Sequence, residues 1–315
     1  YFWSVTDCIR ANEIGWTHKL DTENPAFMAQ GLYNSFFEEK ANGQTAAGFA
    51  AFNSPVGVFV DATPTNLQLV AGERFSFEVF LAHYGDDPLV DAKATWSLSV
   101  GGDALASGVV PVGDQPLGAV RKVVSVPVTV PSVSRPSKAV FAVDVGGIRN
   151  SWDVWLFPKG STLAEIRAKA SRAGVVIAAA GTPEAKAALA AGRPLVTVDG
   201  VGGAPNVSLG WWWMGAQVGT AIRPHRALGD FPHEGVLTPL WFRLLKKGAE
   251  LPVPGIRPDD MIVVGEGGDK CYLYLCERKV GKSRVMECHG LDLLSDLPEG
   301  NCLLAALVEE LARFD

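Results

Sequence analysis

Arg74-Phe75-Ser76-Phe77-Glu78-Val79-Phe80-Leu81-Ala82-His83 is the stretch from which the fold is read. Phe75, Phe77, Val79 and Leu81 alternate with Ser76, Glu78, Phe80 and Ala82, a period of two that makes one face of a β-strand strongly apolar and leaves the other mixed. Tight-turn residues bound it, with Gly72-Glu73 before and Gly85-Asp86-Asp87-Pro88 after, and Gly101-Gly102-Asp103 marks a further turn. Between Pro55 and Pro158 the same texture recurs, and eight runs read as strands: Val56 to Val60, Leu67 to Val70, Arg74 to His83, Ala92 to Val100, Ala104 to Val110, Val120 to Val130, Ala139 to Val145 and Ser151 to Phe157. Their spacing of roughly 8 to 12 residues predicts an antiparallel β-sandwich, with Trp96, Trp152 and Trp155 in its core or at a domain interface.

Beyond Lys159-Gly160 the period lengthens. Thr162 and Glu165 form a capping-box pattern, and Leu163, Ile166 and Ala170 share one helical face. Val175 to Ala179 reads as a buried strand, Thr182-Pro183-Glu184 opens a second helix that Gly192 ends, and Pro194 to Val198 is the next strand. Such a succession implies a parallel pair joined by a right-handed crossover. Met261 to Glu266, Tyr272 to Glu277 and Arg284 to His289 read as further strands, with Val280-Gly281-Lys282-Ser283 as a hairpin turn. A last helix is predicted from about Pro298 to Phe314. The region is expected to be open α/β. Between its halves, Gly210 to Trp241 holds four of the nine tryptophans amid Gly and Pro, and reads as a long ordered loop that fills an interface.

On the amino-terminal side, Trp3 to Asn12 reads as helix, Glu13 to Leu20 as a short strand, and Ala26 to about Gly43 as helix again. Such a piece buries little alone and reads as the closing unit of a larger (β/α)8 barrel. Tyr1 is no methionine, and Tyr-Phe-Trp-Ser is no signal peptide, so the chain is expected to begin within a longer protein.

Composition narrows the function. The 315 residues are 48% hydrophobic and 20% charged, with a formal net charge of -6. Without a run of Lys or Arg, neither nucleic acid nor a membrane surface is an expected partner. Five cysteines, Cys8, Cys271, Cys276, Cys288 and Cys302, are too few and too uneven for a disulfide framework. Cys271, Cys276, Cys288 and His289 suggest zinc by residue type, but Cys271 and Cys276 are five apart on one strand and face opposite sides, so no metal is expected. Cys288-His289 lacks the strand-to-helix elbow of a nucleophile. Asp199-Gly200-Val201-Gly202-Gly203 is a Gly-rich loop without a dinucleotide fingerprint, and no cofactor is expected.

Three stretches resemble the carboxy-terminal half of multidomain enzymes of glycoside hydrolase family 2, the β-galactosidase-like superfamily. Gly15-Trp16-Thr17-His18-Lys19-Leu20-Asp21, continuing to Gln30-Gly31-Leu32-Tyr33-Asn34-Ser35-Phe36 and Lys40, is similar to the final strand and helix of the catalytic barrel. Asn150-Ser151-Trp152-Asp153-Val154-Trp155-Leu156-Phe157-Pro158 is similar to the strand that closes the sandwich. Arg223-Pro224-His225-Arg226-Ala227-Leu228, with Phe231-Pro232 and Trp241, is similar to a segment of the last domain, with Arg226 and His233 departing from its usual Pro and Thr.

The resemblance implies a multidomain chain: the end of a (β/α)8 barrel over residues 1–52, an immunoglobulin-like antiparallel β-sandwich over 53–159, and an open α/β accessory domain over 160–315. It further implies a retaining glycosidase acting on an oligosaccharide or polysaccharide, with two carboxylates about 5 to 5.5 Å apart. Both would precede Tyr1, in an amino-terminal catalytic part missing from this chain, so no catalytic residue is expected here. A periplasmic or secreted location is favoured. Trp16, His18 and Asp21, where an eighth barrel strand would meet its loop, are the candidate substrate contacts. The alternative is a non-catalytic carbohydrate-binding or structural module.

Overall fold

The computed structural model describes residues 8–9, 27–28, 38, 45–198, 209–210, 213–214, 221–267 and 270–313. Near the amino terminus, β1 (Cys8–Ile9) pairs antiparallel with β2 (Phe27–Met28), and a short helix α1 (Ala46–Ala50) is capped by the Thr45 hydroxyl on Gly48 N–H. Strand conformation at Cys8–Ile9 and Phe27–Met28 corrects the helices read there. Two adjacent apolar residues carry no period of their own, so the pairing decides. The remainder of the proposed barrel unit, including its strand Glu13 to Leu20, lies outside the described residues.

Eight strands follow: β3 (Val56–Val60), β4 (Gln68–Val70), β5 (Arg74–His83), β6 (Leu89–Val100), β7 (Asp103–Gln115), β8 (Ala119–Thr129), β9 (Ser137–Val145) and β10 (Ile148–Phe157). They form a three-stranded sheet, β3-β5-β8, and a five-stranded sheet, β4-β10-β9-β6-β7. Phe77, Val79 and Leu81 of β5 are buried, as the alternation requires. Phe77 stacks on Phe141 of β9 with ring centroids 4.2 Å apart, so the apolar faces of the two sheets meet in one core. Trp96 lies opposite Gly108 in the β6–β7 ladder, where a Cβ would come within 2.7 Å of the indole nitrogen. Trp96 and Trp155 are buried; Trp152 is half-buried. The sheets are not wholly antiparallel, because β4 pairs parallel with the end of β10, Phe157 beside Val70. Three residues cannot announce their partner by pattern alone.

Only five residues separate β10 from α2 (Leu163–Arg172), which opens on the Thr162–Glu165 capping box. Then come β11 (Val176–Ala178), α3 (Pro183–Ala190), β12 (Leu195–Thr197), the hairpin β13 (Leu209–Gly210) and β14 (Trp213–Met214), β15 (Ala221–Ile222), β16 (Ala249–Glu250), β17 (Met261–Gly267), β18 (Lys270–Val280), β19 (Ser283–Cys288) and α4 (Pro298–Ala312). The sheet runs β11-β12-β19-β18-β17-β15, with β16 beside β18. β11, β12 and β19 are mutually parallel, and the hairpin strands after them are antiparallel. Ile177 joins the core shared with α2 and α4, whereas Val176 and Ala178 pack with Ala185 and Ala188 of α3. The sheet is therefore covered on both faces at its parallel end.

The segment read as one long loop contains the β13–β14 hairpin, the edge strand β15 and 3₁₀ turns at Arg226–Leu228 and Pro239–Trp241. Trp241 is fully buried, edge-on to Phe231 with centroids 4.9 Å apart. One continuous apolar core links both sheets of the β-rich half to α2, α4 and the mixed sheet. Among the described residues no helix is long and apolar enough to cross a membrane.

Candidate functional site

Where the β-rich half meets the α/β half lies a cleft of about 600 Å³, within the ordinary range for small-ligand sites. Val70 and Phe157, paired at the ends of β4 and β10, form one wall. Cys302, Ala305 and Ala306 on α4 form the other, and small side chains there leave the space open. The linker 158–162 crosses between them and is tied down at its end, since Leu163 N–H donates to Asp296 Oδ1 at 2.9 Å. Asn301 Nδ2 donates to the same oxygen at 2.6 Å. These two hydrogen bonds, Asn301 first, hold the Asp296 carboxyl below its ordinary range. Asn301 is among the residues that line the cleft, and its Oδ1 is buried without a hydrogen-bond partner.

The cleft suits binding better than acid–base work. Glu309 on its rim is paired with Lys169 of α2 at 2.6 Å. Burial pushes the Cys302 thiol up to about 12, with Asp230 and two glutamates adding to the effect, which removes it as a thiolate nucleophile.

Elsewhere in the α/β half, buried carboxylates are matched to arginines. Arg243 binds both oxygens of Glu299 at 2.7 Å. Glu310, fully buried, meets Arg226 at 2.5 Å and Arg284 at 3.0 Å, and Arg284 also holds Glu277. His225 lies 3.4 Å from Glu277, yet burial outweighs that charge and lowers the imidazole's basicity. For Glu287, burial opposes the charged form, but contacts with His289 and Arg278 prevail and the carboxyl sits below its usual range. Glu78, Glu165 and Asp260 are displaced the same way, Glu78 by Lys122 and then Ser125, Glu165 by Thr162, and Asp260 chiefly by Arg257. Every displaced carboxylate among these described residues is thus a stronger acid than usual.

Trp16, His18 and Asp21 lie outside the described residues, as do Trp211, Trp212 and Asp199 to Gly203. Cys271 is exposed, whereas Cys276 and Cys288 are buried and neither lines the cleft. Burial first, then the Glu287 charge, pushes the Cys276 thiol up to about 12. A thiol nucleophile at Cys288 finds no opening there. Asp296 and Asn301 were not foreseen. Their only sequence trace is an Asp five residues before an Asn at the start of a helical pattern.

Residues 73–158 match the model of a domain of unknown function, DUF8488. No curated protein matches the chain. Among solved structures it is similar to the alkylpurine DNA glycosylase AlkC of Pseudomonas fluorescens bound to DNA containing an abasic-site analogue, at 18% identity and a TM-score of 0.25 over 32% of this chain and 30% of that one. It is also similar to the sporulation control protein Spo0M of Bacillus subtilis, at 14% identity and a TM-score of 0.25 over 37% of this chain and 54% of that one. The chain thus spans less than a third of the first relative and about half of the second.

Proposed function

We propose that this chain is the non-catalytic carboxy-terminal region of a carbohydrate-active hydrolase of the glycoside hydrolase family 2 type, supporting a catalytic barrel encoded before Tyr1. The observation that carries this reading is that buried carboxylates among the described residues are closed off in ion pairs, Glu299 with Arg243 and Glu310 with Arg226 and Arg284. A retaining glycosidase needs one carboxyl whose acidity is weakened until it can donate a proton near neutral pH. The displaced carboxylates among the described residues are strengthened as acids and committed to cationic side chains, to Asn, Ser or Thr side chains, or to backbone N–H groups. Such groups hold elements together.

The continuous core supports the same role, because the two halves share buried apolar residues and the five-residue linker between them is pinned by Asp296. The motifs around Gly15 to Lys40, Asn150 to Pro158 and Arg223 to Trp241 follow the family's order along the chain. Trp16, His18 and Asp21 are the residues proposed to reach substrate, from the strand that would close the barrel.

A second reading, a carbohydrate-binding module, is favoured by the cleft between the two halves. The two readings separate on the coding sequence immediately upstream of Tyr1. An in-frame series of barrel strands with one glutamate on the fourth and one on the seventh is the expected result. An upstream sequence with no barrel leaves the binding module.

A further inference from the structure

Strand register brings together three side chains that sequence spacing keeps apart. Cys276 of β18 is the direct partner of Glu287 of β19. Directly paired residues project from the same face of a sheet, and His289, two residues past Glu287, follows on that face. Cys288, next to Glu287, falls on the opposite face, and Cys271 is exposed where Cys276 is buried. The sulfur, a carboxylate oxygen and an imidazole nitrogen end within 4.8 Å of one another.

The distances suit a metal ion. Glu287 Oε2 lies 3.9 Å from Cys276 Sγ and 3.5 Å from His289 Nε2. Bonds of about 2.3 Å to sulfur and about 2.0 to 2.2 Å to nitrogen and oxygen, disposed tetrahedrally, set neighbouring ligand atoms roughly 3.3 to 3.6 Å apart. The two sides that meet at Glu287 Oε2 are within a few tenths of an ångström of that spacing, and the third is no longer than 4.8 Å.

Two further observations point to a ligand. His289 Nε2 is a buried atom whose contact with Glu287 Oε2 is a long 3.5 Å, beyond good hydrogen-bond distance, so an ion between the two would satisfy it better. Glu287 divides its oxygens: Oε1 accepts from Arg278 Nε at 2.6 Å, and Oε2 is left facing the cysteine and the histidine. A fixed donor on the far oxygen is the usual outer-shell arrangement for orienting a ligating carboxylate.

We propose that Cys276, Glu287 and His289 form a three-ligand site for a divalent ion of the zinc class. One sulfur, one nitrogen and one oxygen donor favour a borderline-soft ion over magnesium or calcium. Cys276 binds as thiolate, its proton leaving to solvent. The fourth position falls to water on the side where His289 keeps 23% of its side-chain surface exposed. The ion would staple β18 to β19 and fix the chain leaving β19 toward α4. None of this depends on the carbohydrate reading.

The test is a cobalt(II) titration of the full 315-residue chain after removal of metal by a chelator. One equivalent bound, with a thiolate-to-cobalt charge-transfer band that zinc then displaces, is the expected result. Cys276→Ser should abolish the band, His289→Gln should weaken binding by roughly tenfold or more, and Cys271→Ser should change neither. A folded wild-type chain that takes up neither cobalt nor zinc overturns the site and leaves Glu287 as the ion-pair partner of Arg278. A band that persists in Cys276→Ser, or is lost in Cys271→Ser, overturns it equally.

Discussion

Arg243 closes on Glu299 with two parallel hydrogen bonds of 2.7 Å, Nε to Oε1 and Nη2 to Oε2, where the carboxylate has no solvent exposure at all. The pair ties the segment after Trp241 to the first turn of α4, and the anion sits where the helix dipole favours it. Removing Arg243 strands the Glu299 charge without water, whereas Arg243, 24% exposed, keeps some access to solvent. Arg243→Ala should therefore cost about 3 to 5 kcal/mol in urea unfolding, and Glu299→Ala less. A double replacement, Arg243→Met with Glu299→Leu, should cost clearly less than the sum, since neither charge is then left buried.

Trp241, two residues before Arg243, is fully buried and packed edge-on to Phe231. Trp241→Ala should lower stability by about 3 to 5 kcal/mol, the usual cost of emptying a site of this size. Denaturant midpoints of the two proteins measure it. An unchanged midpoint would mean the ring is not part of the core.

Acid should loosen the linker. Asp296 has a folded-state acidity greater than its ordinary value of 3.8, through the hydrogen bonds from Asn301 and Leu163 N–H. A group with a depressed native value contributes stability that is complete above the unfolded value and is lost as pH falls through the lower native one. Unfolding free energy should thus decline as pH drops below 3.8, and Asp296→Asn should flatten that decline while lowering stability at neutral pH. Denaturation at a series of pH values from neutral to strongly acid reads both effects.

Much of the fold was written locally. The alternation in Arg74 to His83 marks the buried face of β5, and Thr162 with Glu165 marks the start of α2, because both signals depend on residues close in sequence. Gly281 in its left-handed conformation closes the β18–β19 hairpin, which the turn residues foretold. Long-range pairing was not written there. No local pattern says that β4 lies parallel to β10, or that β19 sits beside β12 at the middle of the mixed sheet.

Sites suffered most from the same limit. Spacing along β18 points away from a metal site, yet the register across β18 and β19 sets Cys276 beside Glu287 and His289. Asp296 and Asn301 take on meaning only once α4 is docked against the linker. Candidate contacts at Trp16, His18 and Asp21 rest on the family resemblance and a strand-end position.

The central claim is that this chain supports glycoside hydrolysis without performing it. The most direct measurement compares turnover of a panel of chromogenic glycosides by the chain alone and by the full product of its gene. The account predicts hydrolysis by the full product and none by the 315-residue chain. Turnover by the chain alone that disappears when one of its own carboxylates is replaced would contradict it, as would a full product inert toward every glycoside tested.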